Sequence, residues 1–195
     1  MAKKNNNNTK GKIVSAAWKL FYEQGYDNTT VEDIIEESHT SKGSFYHYFA
    51  GKDALLSSLS YLFDEKYEQL RLKLTDEQTS FDKLMYLNHE LFDMIENNIS
   101  LDLLARLYSS QIITCGEKHL LDHNRLYYKL LRSIVSEGQK MGEFLSDMTV
   151  NEIVKTYAML ERALLYDWCL CNGDYSLKNY AQKMMPMLMS SLRKK

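Results

Sequence analysis

Ser41, Lys42, Gly43 and Ser44, with Tyr46 and His47 just beyond, set two hydroxyls, an ammonium, a residue without Cβ, a phenol and an imidazole within seven positions. At the start of a helix, such groups suit phosphate oxygens and base edges. The side chains and backbone N–H groups donate, and the glycine lets the backbone come close. Thr29 and Thr30 upstream and Lys52 downstream add further donors. The chemistry on offer is a non-covalent grip on a polyanion. No catalytic constellation accompanies it: there is no glycine-rich phosphate loop, no His-Glu-x-x-His and no Gly-x-Ser-x-Gly. An enzyme is not expected, and neither is a cofactor.

These residues need helices to position them, and the chain supplies little else. Of 195 residues, 45% are hydrophobic, while there is one proline and there are eight glycines. Few breakers among abundant Leu, Met, Lys and Glu argue for an all-α protein. Ile13, Ala17, Leu20 and Phe21 fall on one face of a first helix that Gly25 ends, so it runs to about Gln24. Thr29 with Glu32, or Thr30 with Asp33, has capping-box spacing and starts a second helix near Val31. Ser38-His39-Thr40 breaks it, and Ser41 caps a third helix whose inward face is Phe45 and Phe49. Gly51-Lys52-Asp53 opens a long fourth helix carrying Leu55, Leu59, Leu62, Phe63 and Leu70. Five more are expected near 78–97, 101–115, 118–140, 149–172 and 176–192.

Charge and cysteine content narrow the setting. The net charge of −2 points to no partner by itself, but Lys3, Lys4, Lys10 and Lys12 precede any acid. Residues 1–10 read as a disordered basic arm. Three cysteines (Cys115, Cys169, Cys171) give no disulfide framework and fit a reducing compartment. No apolar signal core opens the chain and no apolar run spans a bilayer, so a cytoplasmic location with no membrane partner is expected. Cys115, His119 and His123 recur every four residues and would share a face of a continuous helix, but Gly116 interrupts it. A metal site is not expected there. Fourteen Tyr and ten Met suit an adaptable pocket with polar handles, though they also serve as ordinary core.

Residues 12–56 together resemble the DNA-binding domain of TetR-family transcriptional regulators. The resemblance rests on Ile13, Ala16-Ala17, Leu20-Phe21, Gly25-Tyr26, Thr29-Thr30-Val31, Asp33-Ile34, the run Ser41 to Phe49, Lys52-Asp53 and Leu55-Leu56. Downstream, Glu137-Gly138-Gln139 with Gly142-Glu143, and Leu165 to Trp168, look loosely like the regulatory core of such proteins. The resemblance implies an N-terminal three-helix DNA-binding domain with a helix-turn-helix (11–52) and a C-terminal helical ligand-binding and dimerisation domain (53–195). It implies a homodimer on a palindromic double-stranded DNA operator, acting as a repressor that releases DNA on binding a small, mainly apolar or aromatic effector. Thr29 or Thr30 then resembles a phosphate contact, Lys42 a base-edge or phosphate contact, and Lys52 a phosphate anchor. Ser41 starts the reading helix, Gly43 admits the backbone, and Ser44, Tyr46 and His47 resemble contacts to phosphate or base edges. One departure stands out: the turn commonly reads Ala-Gly-Val, and here it is Ser38-His39-Thr40. A non-glycine residue in a left-handed turn costs about 1 kcal/mol, although His is among the types enriched there.

The last two helices carry broad apolar faces, Ile153, Tyr157, Leu160 and Leu164, then Leu177, Tyr180, Met184 and Leu188. They are expected to form a four-helix interface between two chains, setting the reading helices about 34–36 Å apart or somewhat more. Two other functions fit the same fold: an effector-free architectural or chromosome-organising DNA-binding protein, and a protein-interaction module.

Overall fold

The computed structural model describes residues 3–56, 58–113 and 118–194, with the backbone alone for 3–8 and Leu59. Ten α-helices run through them: α1 (Lys3–Glu23), α2 (Val31–Glu37), α3 (Lys42–Tyr48), α4 (Lys52–Leu56), α5 (Leu59–Arg71), α6 (Ser80–Asn98), α7 (Leu101–Ile113), α8 (Leu126–Lys140), α9 (Val150–Leu170) and α10 (Leu177–Met189). Short 3-10 turns lie at His119–Leu121 and Ser190–Leu192. Among the described residues, strand-type pairing is confined to one isolated antiparallel bridge, Phe144 with Arg193. The protein is all-α.

The helices gather into two compact units, Met1–Tyr61 with Asp102–His119, and Leu62–Leu101 with Leu120–Lys195. This differs from a linear division at residue 52, because α4 and most of α7 belong with the first unit. Arg106 of α7 accounts for part of that: its guanidinium bonds Asp27 at 2.6 Å and lies 4.9 Å from the centre of the Tyr26 ring.

In the first unit, Ile13, Ala17, Phe21, Ile34, Phe45, Phe49 and Leu55 form the core. α1 starts at Lys3, so its backbone takes in most of the stretch read as a disordered arm. Each residue added to an established helix gains a backbone bond at little further cost. Gly25, at φ 86°, ends the helix as its position promises. The long fourth helix is instead two, α4 and α5. The Ser58 hydroxyl bonds back to the Leu55 carbonyl and accepts the Trp18 indole N–H at 2.9 Å. Such back-bonding competes with the helical ladder, and here a partner forty positions away reinforces it.

The second unit packs α6, α8, α9 and α10 around Leu87, Phe92, Leu131, Ile134, Tyr157, Leu165 and Met185. Its loops close on a tight approach. Gly138 of α8 lies against the Phe144 ring and Ser80. The Glu143 carboxylate accepts Ser80 N–H and Phe81 N–H, both at 3.1 Å, satisfying the first turn of α6. Gln139 donates to the carbonyls of Leu145 and Met148, both at 2.7 Å. A buried carboxyl, Glu161, is 4% exposed and accepts from Asn88 at 2.9 Å and Tyr127 OH at 2.6 Å. Burial pushes it above the ordinary carboxylate range, against the pull of those bonds.

Two expectations are corrected here. The helix expected over 118–140 begins only at Leu126. Asp64 of α5 binds the Arg125 guanidinium at 3.0 and 3.1 Å, and Asp122 accepts Asn124 N–H, which holds the preceding residues in a turn. His119 and His123 therefore share no helical face, and Cys115 lies outside the described residues. No group of three potential ligands that could hold a metal occurs among the described residues. The second correction concerns the apolar faces of the last two helices. Ile153, Tyr157, Leu164 and Leu177 are buried within the unit itself. The large apolar groups left exposed are Met159, Tyr166 and Leu170 of α9 with Tyr180, Met187 and Leu188 of α10. α9 packs on both α8 and α10 and is apolar on more than one side, so periodicity alone does not say which stripe faces outward.

Candidate nucleic-acid interface

The second helix is fixed by a capping box, and the structure selects Thr30 with Asp33. Thr30 Oγ1 accepts Asp33 N–H at 3.1 Å, and the Asp33 carboxylate accepts Thr30 N–H at 2.8 Å. Its neighbour Thr29 is 1% exposed and gives its hydroxyl to the Gly25 carbonyl at 2.8 Å. Of the two threonines, only Thr30 presents a surface. The turn that follows puts His39 at φ 51°, the left-handed position expected of it. Ser38 and Thr40 bond each other through their hydroxyls at 2.8 Å, so a polar Thr40 is satisfied where an apolar residue is usual.

Ser41 caps α3, accepting Ser44 N–H at 3.1 Å and pairing with the Ser44 hydroxyl at 2.9 Å. Phe45 and Phe49 are buried, which turns Lys42, Gly43, Tyr46 and His47 outward. Gly43 is not required by space: an added Cβ would meet only Ser41 Oγ, at 3.9 Å. Its value lies in the bare backbone shown to a binding partner. Lys42 Nζ is held 2.9 Å from Glu32 of α2, and both side chains are about two-thirds exposed. That bond raises the lysine pKa and lowers that of the glutamate. Exposed pairs of this kind contribute little, so a phosphate or guanine edge can take the lysine over.

Lys52 points elsewhere. Its ammonium donates to the carbonyls of Tyr26 at 2.7 Å and Thr29 at 2.9 Å, and sits 4.2 Å from the centre of the Tyr26 ring. It ties down the loop that delivers α2, which leaves at most one N–H for a phosphate. The Tyr26 hydroxyl donates to Asp53, and burial and that carboxylate push the phenol well above its usual pKa. Tyr26, Asp27, Asp53 and Arg106 thus brace this loop, and Glu32 holds Lys42. Sequence reasoning gave none of these roles, since Arg106 lies 79 positions from Asp27. Lys52→Ala is expected to destabilise the protein by about 1–2 kcal/mol by stranding two carbonyls, read by urea unfolding. A variant of wild-type stability whose only defect is a salt slope flatter by about one unit would restore the phosphate-anchor role.

A short helix pair joined by a tight turn, its second member capped and presenting Lys, Gly, Tyr and His, is a helix-turn-helix DNA-binding unit. Residues 13–59 match the model of bacterial regulatory proteins, tetR family. Residues 62–191 match that of the YsiA-like protein, C-terminal region. The chain belongs to the tetR family: it is a DNA-binding transcriptional regulator and not an enzyme. It is similar to the HTH-type transcriptional regulator YuxN of Bacillus subtilis, with 32% identity over 112 residues, 54% of this chain and 38% of that one. The chain spans less than two thirds of the length of the first curated relatives it matches. Among solved structures, FadR of Thermus thermophilus, a repressor in complex with lauroyl-CoA, has a TM-score of 0.78 at 21% identity, covering 95% of each chain. FadR of Bacillus subtilis with stearoyl-CoA has a TM-score of 0.69 at 21% identity, covering 94% of this chain and 99% of that one. At such identity the likeness establishes the fold. No described helix is long and apolar enough to cross a membrane.

Proposed function

We propose that the protein is a ligand-responsive repressor that binds a palindromic operator as a homodimer, with α3 as the reading helix. The observation that carries this reading is the two-sidedness of α3, with Phe45 buried and Lys42, Gly43, Tyr46 and His47 exposed behind the Ser41 cap. Thr30 supports the backbone contact at the start of α2, and residues 11–52 do the reading. The remainder of the chain holds the effector and the partner. An operator selected from randomised duplexes tests it. Lys42→Ala is expected to weaken operator binding and, where the lysine meets a base edge, to relax preference at one position by roughly 1–3 kcal/mol. Wild-type affinity for that variant at moderate salt would move the reading head elsewhere.

For the effector we infer a long-chain acyl-CoA thioester, whose alkyl tail is apolar but whose large anionic CoA head departs from the small, mainly apolar or aromatic effector expected from the sequence. The support is the ligand class held by the two FadR structures. Lauroyl-CoA is expected to weaken operator binding by about 5–150-fold, and operator DNA to weaken lauroyl-CoA binding by the same factor. Operator affinity indifferent to lauroyl-CoA rejects this effector, and many dispersed genomic sites would favour the architectural role.

A further inference from the structure

We propose that Glu32 is a specificity-determining residue, reading one operator base pair jointly with Lys42: the lysine takes guanine and the glutamate takes the N4 amino group of the paired cytosine. The proposal rests on α3 as the reading helix and adds to it a base contact from α2.

Glu32 lies in the first turn of α2, and its Oε1 stands 2.9 Å from Lys42 Nζ, ten positions on. Lys42 is the first residue of α3, the end that meets base edges in a helix-turn-helix, and Tyr46 lies one turn further on the same face. The bond therefore carries a carboxylate to the reading edge. The fold does not call for it there, since Thr30 and Asp33 already cap α2 and an exposed ion pair adds little stability. Phosphates repel a carboxylate. What DNA offers it is an amino group, and cytosine N4–H2 is the usual partner of Glu in the major groove.

The pair has the spacing of the edge it would read. On a G·C pair, guanine O6 and cytosine N4 are joined by an N–H···O bond of about 2.9 Å, the separation of Lys42 Nζ from Glu32 Oε1. The ammonium has three N–H groups; one serves Glu32, and two remain for guanine O6 and N7. Reversing the base pair turns an amino group toward the ammonium and a carbonyl toward the carboxylate. A lysine alone reaches N7 of either purine, whereas the couple also senses the strand on which the carbonyl lies. A T·A pair offers thymine O4 and adenine N6 in the matching order, but thymine has no N7 for the second N–H.

The test uses the full-length protein and the operator position whose preference Lys42→Ala relaxes. The wild-type protein should favour G·C over C·G there by at least about tenfold, and Glu32→Ala should reduce that to threefold or less. Replacing the cytosine by 2-pyrimidinone, which lacks the amino group, should cost the wild-type protein at least fivefold more affinity than it costs Glu32→Ala. That difference separates a glutamate that touches the base from one that only holds Lys42. Equal losses in the two proteins, or undiminished discrimination in Glu32→Ala, overturn the role of Glu32 while leaving α3 as the reading helix. A Lys42→Ala variant that relaxes no position overturns both.

Discussion

Gly138→Ala is expected to destabilise the protein by roughly 2 kcal/mol, lowering its Tm by about 4–8 °C at this chain length. A Cβ built there would stand 2.5 and 2.6 Å from two ring carbons of Phe144 and 2.7 Å from Ser80 Cβ. Ordinary contact begins near 3.4 Å. Relief requires Phe144 to move, and its surroundings resist that. The ring is fully buried, the backbone bridges to Arg193, and the adjacent Glu143 is bonded to Ser80 N–H and Phe81 N–H. Alanine regains about 1 kcal/mol of helix propensity over glycine, which the overlap exceeds. Thermal unfolding followed by circular dichroism measures the loss. Adding Phe144→Leu to Gly138→Ala should recover part of it, because the two changes act on one contact. A single variant melting within about 1 °C of wild type would mean that Phe144 relocates freely, contrary to the usual behaviour of a packed core.

What the sequence makes legible is chemistry between near neighbours. The Thr30–Asp33 box, the Ser41 cap, the Gly25 stop and the Phe45/Phe49 inner face each involve groups within a few positions, and helix geometry fixes where they point. The left-handed His39 is legible for the same reason. Where a distant partner decides the outcome, local pattern fails. Trp18 helps Ser58 to break what reads as one helix, and Asp64 sets where α8 begins. Lys52 is a lysine at the start of a helix by pattern, yet the carbonyls of Tyr26 and Thr29 claim its charge. Thr29 and Thr30 are equivalent as residue types, and only packing buries one and exposes the other.

The same limit applies to α9, where it moves the expected interface onto a different stripe, while Tyr180 and Leu188 of α10 stay exposed as expected, and this yields the second large prediction. Leu170→Lys with Met187→Lys is expected to turn a dimer into a monomer and to reduce operator affinity by at least about 100-fold, the usual range for losing one of two linked binding heads. Met159, Ala163, Tyr166 and Leu170 recur at i, i+4, i+7 and i+11 along α9, and all four are exposed. Tyr180, Met187 and Leu188 lie on the outer side of α10, which packs against α9. Side chains of this size, 36–62% exposed on adjacent helices, are unusual unless another surface covers them. A second copy meeting them across a two-fold axis would cover both helices at once and would set two reading heads on a palindrome. Lysines within such a contact must be desolvated without partners, and two-fold symmetry repeats the added charges across it. Because Leu170 and Met187 are exposed in the protomer, the variant should keep its fold within about 0.5 kcal/mol, which separates lost assembly from lost structure. Sedimentation equilibrium at micromolar concentration reads the assembly, and operator titration reads the affinity. Binding to short half-site duplexes should be unchanged, since α3 and its Ser41 cap are untouched. A wild-type protein that sediments as a monomer, or a doubly charged variant that still dimerises, would place the interface somewhere other than on these two helices.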